Sequence, residues 1–279
     1  MEAAEFRTIH LGSLTVNIET VIASWIVLAL LAIFFFLGTR RLSERPSTLQ
    51  NILEMVYEYF QNLSRSMIGE NGERYAPLAL AIFFYLLFSN WLGLLPEVAI
   101  HHWTIFAPPT RDINTTLAMA LITFLAFHYF GIASRIEQIA HREKEAGFLA
   151  VRMRGFLNYL AHYLHPLPDL YHSLSLPLFL FIVIGFGWLF LLLNVVEELA
   201  RVLSLTLRLF SNMYGGHLIL ACLALLVVTM GSMSYLAGFA SDFVLLFVLL
   251  LKVLVGLVQA FIFSILTLSY IGSAEGEEH

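Results

Sequence analysis

An all-α protein that crosses a membrane several times is the fold class this sequence predicts, and three observations carry it. Of its 279 residues, 59% are hydrophobic and only 13% charged, and the mean hydropathy is +0.81, values outside the range of soluble domains. The apolar residues also gather into runs close to the roughly 20 residues that a helix needs to cross a bilayer. Finally, the stretch 194–217, NVVEELARVLSLTLRLFSNMYGGH, lies in one of the most apolar parts of the chain yet carries two arginines, two glutamates and two asparagines.

Composition excludes several classes of function. A net charge of −5 with no extended basic tract argues against a nucleic-acid partner. The one cysteine, Cys222, forbids an intrachain disulfide and any cysteine-based metal site. Neither HExxH nor GxSxG occurs, so a metalloprotease or a nucleophile-elbow hydrolase has no support. No polar segment is long enough for a separate globular domain. The expectation is a single membrane domain over 1–279, with no cofactor and no metal.

The run 21–38 reads as the first span, closed by Arg40, Arg41 and Arg45, which place that end in the cytoplasm by the positive-inside rule. Charges that follow an apolar run reverse a signal peptide's polarity, so the helix is expected to stay in the mature chain. Asn17-Ile18-Glu19 precedes it and sets Glu19 at its outer mouth. Ser47 and Gln50 have capping-box spacing. Leu49, Ile52, Leu53, Val56, Phe60, Leu63 and Met67 then recur at helical spacing opposite Glu54, Glu58, Asn62 and Arg65, predicting a surface amphipathic helix over 47–68.

After a turn at 69–72, the second span is expected at 75–95, with Asn90 and Trp91 near its outer end. Adjacent His101 and His102 in the outer loop 96–112 lack ligand-spaced carboxylates or thiols, so they make a poor metal site. Asp112 and Asn114 have the chemistry to cap a third span at 115–133. His128 within it fits a packed histidine better than a relay.

Arg135, Arg142, Lys144, Arg152 and Arg154 mark 134–172 as a cytoplasmic loop, with His162 and His165 on an interfacial helix. The segment 174–228 is nearly free of turn signals. As one straight helix it would be roughly 80 Å long at about 1.5 Å per residue, so it is expected to break or tilt steeply, with Gly185 and Gly187 as bending points. The loop 231–242 carries no Lys or Arg and reads as external. The last helix is expected at 243–271, leaving the N-terminus outside and the C-terminus in the cytoplasm.

The polar residues are ordered. Turning 100° per residue from Arg208, the positions Asn194, Glu197, Arg201, Ser204 and Asn212 fall within about 40° of it, forming one polar stripe. A central arginine costs about 2.5 to 3.5 kcal/mol on insertion scales, so the stripe must face protein or water. Arg201 and Glu197, four apart, could also pair simply to hold a bundle. Lys252 and Gln259 share a face of the last helix. In a hairpin of the last two helices Gln259 would lie level with Arg208, and Lys252 with His217 toward the outside.

At LSLTLRLFSNMYGGH and QAFIFSILTLSY the chain resembles subunit a of the F-type ATP synthases. NIE, PLALAIFFYLLFSNWLGLLP and DINTTLAMAL fall in the expected order, so the likeness spreads over about 15–271. The resemblance implies three N-terminal spans, the surface helix and a long tilted C-terminal hairpin packed against a ring of c subunits. It implies a non-catalytic stator in a bacterial inner membrane, with the c-ring, peripheral-stalk subunit b, other synthase subunits and lipid as partners.

In that likeness Arg208 matches the family's indispensable arginine, and Asn212 and Gln259 match its polar neighbours. His217 and Lys252 stand where a Glu and a His usually line the outer half-channel, and Glu19 matches the carboxylate at its mouth. Asn194, Glu197, Glu198 and Ser204 are the candidates for the cytoplasmic half-channel. Two departures stand out. Lys252, whose ordinary pKa is about 10.4, is a poor relay, and Ser211 replaces a usual Gly. A sodium-driven motor remains an alternative, as does, from another class, an autonomous secondary transporter, although no internal repeat is visible.

Overall fold

The computed structural model describes residues 8–11, 14–40, 42–43, 46–95, 98–100, 103–105, 108–142, 147–164, 176–231 and 235–275. Its helices are α1 (Ile18–Thr39), α2 (Thr48–Ile68), α3 (Ala76–Leu92), α4 (Ile113–Arg142), α5 (Phe148–Leu164), α6 (Leu176–Gly231) and α7 (Tyr235–Glu275). Two antiparallel hairpins, β1 (Thr8–Leu11) with β2 (Leu14–Asn17) and β3 (Val98–Ile100) with β4 (Trp103–Ile105), sit just before α1 and between α3 and α4 in the chain. Among the described residues four helical stretches are long and apolar enough to cross a membrane: Ile18–Thr39, Asn71–Leu92, Ile113–His141 and Asp242–Ala274. The protein is an all-α, polytopic membrane protein.

The chain divides into two compact units. The first comprises Met1–Met119 and Leu205–Leu268, the second Ala120–Ser204 and Ser269–His279.

In the first unit, α1 buries Glu19, Thr20, Ala23, Val27 and Leu31, a stripe repeating every three to four residues, while Trp25, Ile33 and Phe36 on its other sides are exposed. That exposed apolar surface is the ordinary covering of a helix whose solvent is lipid. Phe34 and Phe35 pack on Phe84 of α3 at ring-centroid distances of 5.6 and 5.2 Å, and Phe34 meets Phe88 at 5.4 Å. Gly38 lets α2 come close, since a Cβ there would run into Leu53 Cδ1.

Ser47 caps α2, its Oγ accepting the Gln50 backbone N–H at 3.3 Å. The reciprocal half of the expected capping box does not form. The Gln50 Nε2 donates to the Ser43 carbonyl at 3.3 Å and to Glu54 Oε1 at 2.7 Å, a charge-assisted bond that orients the amide, and its Oε1 accepts no hydrogen bond among the described residues. Gly69, with φ at +99°, ends the helix in a conformation that costs other residues strain. Phe60, 1% exposed, packs on Phe83, and Tyr59 packs on Phe261 of α7 at 5.8 Å. Burying a side chain of Phe60's size is worth about 1.5–3 kcal/mol.

Within the second unit α5 lies antiparallel along α4. Gly155 meets Ile136, where a Cβ would approach Cα at 2.9 Å, and Tyr159 meets Gly131 at 2.7 Å from a would-be Cβ. His128 Nδ1 and Tyr159 Oη are 2.8 Å apart, so His128 is a satisfied packed histidine. The segment expected as a cytoplasmic loop therefore contains two ordered pieces, because α4 runs beyond Ala133 to Arg142 and α5 follows.

The long helix does not break. α6 is continuous from Leu176 to Gly231, through Gly185, Gly187, Gly215 and Gly216. A glycine in a helix interior costs only about 1 kcal/mol relative to Ala, and the helix's one proline, Pro177, stands in its first turn, where no ladder bond is lost, so every interior ladder hydrogen bond can form. The last helix begins at Tyr235, earlier than expected, for the same reason. His101, His102 and His165 lie outside the described residues.

Candidate functional site

Leu205, Thr206, Leu209 and Met213 form the buried face of the α6 segment in the first unit, each at most 4% exposed. Their spacing fixes the azimuth of everything else on the segment. Arg208 and Asn212 fall at the edge of that face and are half-buried, while Ser211 and Leu207 beyond them are exposed. Among the described residues the Arg208 side chain makes no hydrogen bond and no ion pair. A guanidinium carries five donors and never loses its charge, so the arrangement holds a fixed cation at the edge of this buried face.

A cavity of about 390 Å³ opens beside this edge, lined by α3 (Asn90), α6 (Asn212, Gly216) and α7 (Lys252, Gly256) among others. Lys252 reaches across to Gly216, where a Cβ would sit 2.8 Å from its Cε and 3.3 Å from its Nζ. The absence of a side chain at 216 therefore leaves room for the lysine head at the level of Gly216, one residue before the half-buried His217. The pairing of Lys252 with the level of His217 agrees with the depths expected from the hairpin.

Gln259, 8% exposed, is on the buried face of α7 with Gly256, Ala260 and Phe263. Its Nε2 has no hydrogen-bond partner among the described residues, a state that costs about 1–3 kcal/mol in a dry site and that a polar ligand or water would relieve. No hydrogen bond joins Gln259 to Arg208 among the described residues.

Two polar groups of this unit were not read from the sequence as site residues. Asn90, 6% exposed, donates to the Gly256 carbonyl at 3.2 Å and accepts from Thr110 Oγ1 at 3.4 Å. It ties α3 to α7 at the cavity wall, and Gly256 admits it, since a Cβ there would stand 3.2 Å from Asn90 Cβ. An amide inside an apolar span was the available signal. Asp112 is the other: one carboxylate oxygen accepts the Asn114 N–H at 2.9 Å as a helix cap, and the other accepts from Asn17 Nδ2 at 2.6 Å and Thr20 Oγ1 at 3.3 Å. This clamp joins the starts of α1 and α4, next to the buried Glu19.

Asn194, Glu197, Glu198 and Ser204 belong to the second unit. There Arg201 donates to Glu197 at 2.5 Å and to Glu198 at 3.4 Å. Its guanidinium also lies 5.8 Å from the Phe127 ring centre and 5.3 Å from that of Tyr270. Arg201 and Glu197 are thus paired locally. Ser204 and Glu197 are exposed and Asn194 is half-buried.

The sequence profile described as ATP synthase A chain matches residues 21–141 and 146–272. The chain belongs to this ATP synthase A chain family. It is 34% identical to ATP synthase subunit a of Gloeobacter violaceus over 281 aligned positions, covering 100% of this chain and 92% of the relative. It is 32% identical to ATP synthase subunit a of Moorella thermoacetica, with 95% and 93% covered. ATP synthase subunit a 1 of Pelobacter propionicus is 33% identical, with 94% and 89% covered. For a member of the A chain family, the unpaired Arg208 and the mainly apolar cavity that Asn90, Asn212 and Lys252 border are the features that ask for a function.

Proposed function

We propose that the chain is the a subunit of the membrane sector of a rotary ATP synthase, passing protons to and from a ring of c subunits. The observation that carries this reading is Arg208, a half-buried guanidinium on an apolar helix with no internal anion among the described residues. A carboxylate on a ring helix that comes opposite Arg208 is stabilised in its ionised form, so its proton must leave there. Because the guanidinium keeps its own proton, it passes none on and blocks a direct leak.

Protons enter through an outer half-channel built from Glu19, His217, Lys252 and the cavity beside Asn212, with Gln259 nearer the arginine. They leave through an inner one lined by Asn194, Glu197, Glu198 and Ser204. The two half-channels do not meet, so each proton rides the ring for most of a turn. At about 2.3 kcal/mol per charge per 100 mV, the membrane potential then biases the rotation. The chain performs no covalent chemistry of its own. Its partners in this reading are the c-ring and the peripheral-stalk subunit b, its site a bacterial inner membrane, its N-terminus outside and its C-terminus in the cytoplasm.

The test is passive flux in vesicles carrying the membrane sector, driven by an imposed potential, with sodium varied at constant pH. Proton flux independent of sodium is expected. Flux that follows sodium would make the same motor a sodium machine, and flux through this chain without the ring would replace the stator reading with a transporter.

A further inference from the structure

We propose that α5 lies in the membrane interface and that its outward face binds anionic phospholipid. This inference rests on the membrane fold and not on the proton-transfer reading. Within the second unit, α5 turns Val151, Gly155 and Tyr159 onto α4. Contact moves from Ile136 at Gly155 to Gly131 and His128 at Tyr159, so α5 runs back alongside a stretch of α4 that belongs to the apolar span Ile113–His141. The helix is thereby carried from the span's end toward membrane depth.

Its other face is apolar and uncovered. Leu149, Met153, Phe156 and Leu157 are 75, 60, 49 and 55% exposed, and at 100° per residue they project away from the Gly155 side. Arg152 and Arg154 fall at the two edges of this face, both exposed, with Arg152 held 5.1 Å over the Phe148 ring. No Asp or Glu occurs in the helix. An apolar face bordered on both sides by guanidinium groups, with no acidic residue, fits acyl chains below and phosphate headgroups at the rim. Arginine forks pair with phosphate oxygens while the stems stay along the apolar surface. Each such basic group near an anionic surface adds to the attraction. A neutral lipid would satisfy the apolar face alone, whereas the charge pattern selects an anionic one.

The assembled complex, purified from vesicles of phosphatidylglycerol and phosphatidylcholine, provides the test. A photo-crosslinking amino acid at position 157, in an otherwise unchanged chain, is expected to label lipid. Labelling of another protein chain instead would overturn the proposal. Native mass spectrometry should find phosphatidylglycerol enriched among retained lipids, with the enrichment falling several-fold in R152Q/R154Q and kept largely in R152K/R154K. Equal retention of the two lipids by the wild type, or unchanged enrichment in the glutamine variant, would also overturn it.

Discussion

Arg201 and Arg208 stand on the same helix, and the chain treats them in opposite ways. Arg201 is enclosed by its own structure, with two glutamates within reach and two aromatic rings against its guanidinium. Arg208 has the same charge and a comparable half-buried position, yet no anion of the described chain meets it. An arginine in an apolar setting carries an insertion cost of kilocalories, and a paired one is retained by packing alone. An unpaired one persists only if its partner comes from outside. Spacing alone makes the two look alike, and it is the contacts that separate a structural cation from a working one.

Substitutions can break this contrast, the largest effect first. Arg208→Ala is expected to abolish ATP-driven proton pumping in reconstituted vesicles while the complex still assembles, because no hydrogen bond or ion pair of Arg208 among the described residues is lost. Gly216→Val should put bulk into the cavity that residue 216 lines and narrow the water path there, pushing the Lys252 end aside, since the added Cβ would meet Cε at 2.8 Å. A lysine end can move, so folding survives, and passive proton conductance should fall about tenfold, equivalent to a barrier higher by about 1.4 kcal/mol. Arg201→Gln should act on stability instead. It takes away the Arg201 guanidinium that pairs with Glu198, whose side chain is 14% exposed. The expected loss is about 1–3 kcal/mol, read as a lower Tm of the purified chain, with pumping per assembled complex nearly unchanged. Lys252→His should have the smallest effect, conductance equal to wild type or somewhat higher, because imidazole titrates closer to neutral pH than an ammonium does. Complete loss in that variant would give Lys252 a specific task.

The helices were legible in the sequence wherever apolar length or amphipathic period set them, as in α1 and α2. Asp112 was recognisable as a cap because its chemistry is local. Its second oxygen's partners, Asn17 and Thr20, are distant in the chain, and no periodicity points to them. Whether α6 breaks or runs on through its four glycines was left open between a break and a tilt, because glycine is weighed as a breaker by propensity, while the ladder itself only requires N–H groups. Asn90 and Gly256 became visible as a pair only in three dimensions: each alone is an oddity in an apolar run, and together they form a donor and the close approach that admits it. At the site, the residue types of Arg208, Lys252 and Gln259 were readable because charge and amide groups are rare in spans. Whether each has a partner is a matter of tertiary contact.

ATP-driven proton uptake by vesicles containing the assembled complex, comparing Arg208→Ala with Arg201→Gln at equal assembled protein, tests most directly whether Arg208's partner lies outside the chain. Loss of uptake in Arg208→Ala together with retained uptake in Arg201→Gln is the predicted result. Normal uptake by Arg208→Ala would contradict it, and would leave the unpaired guanidinium without the role assigned to it.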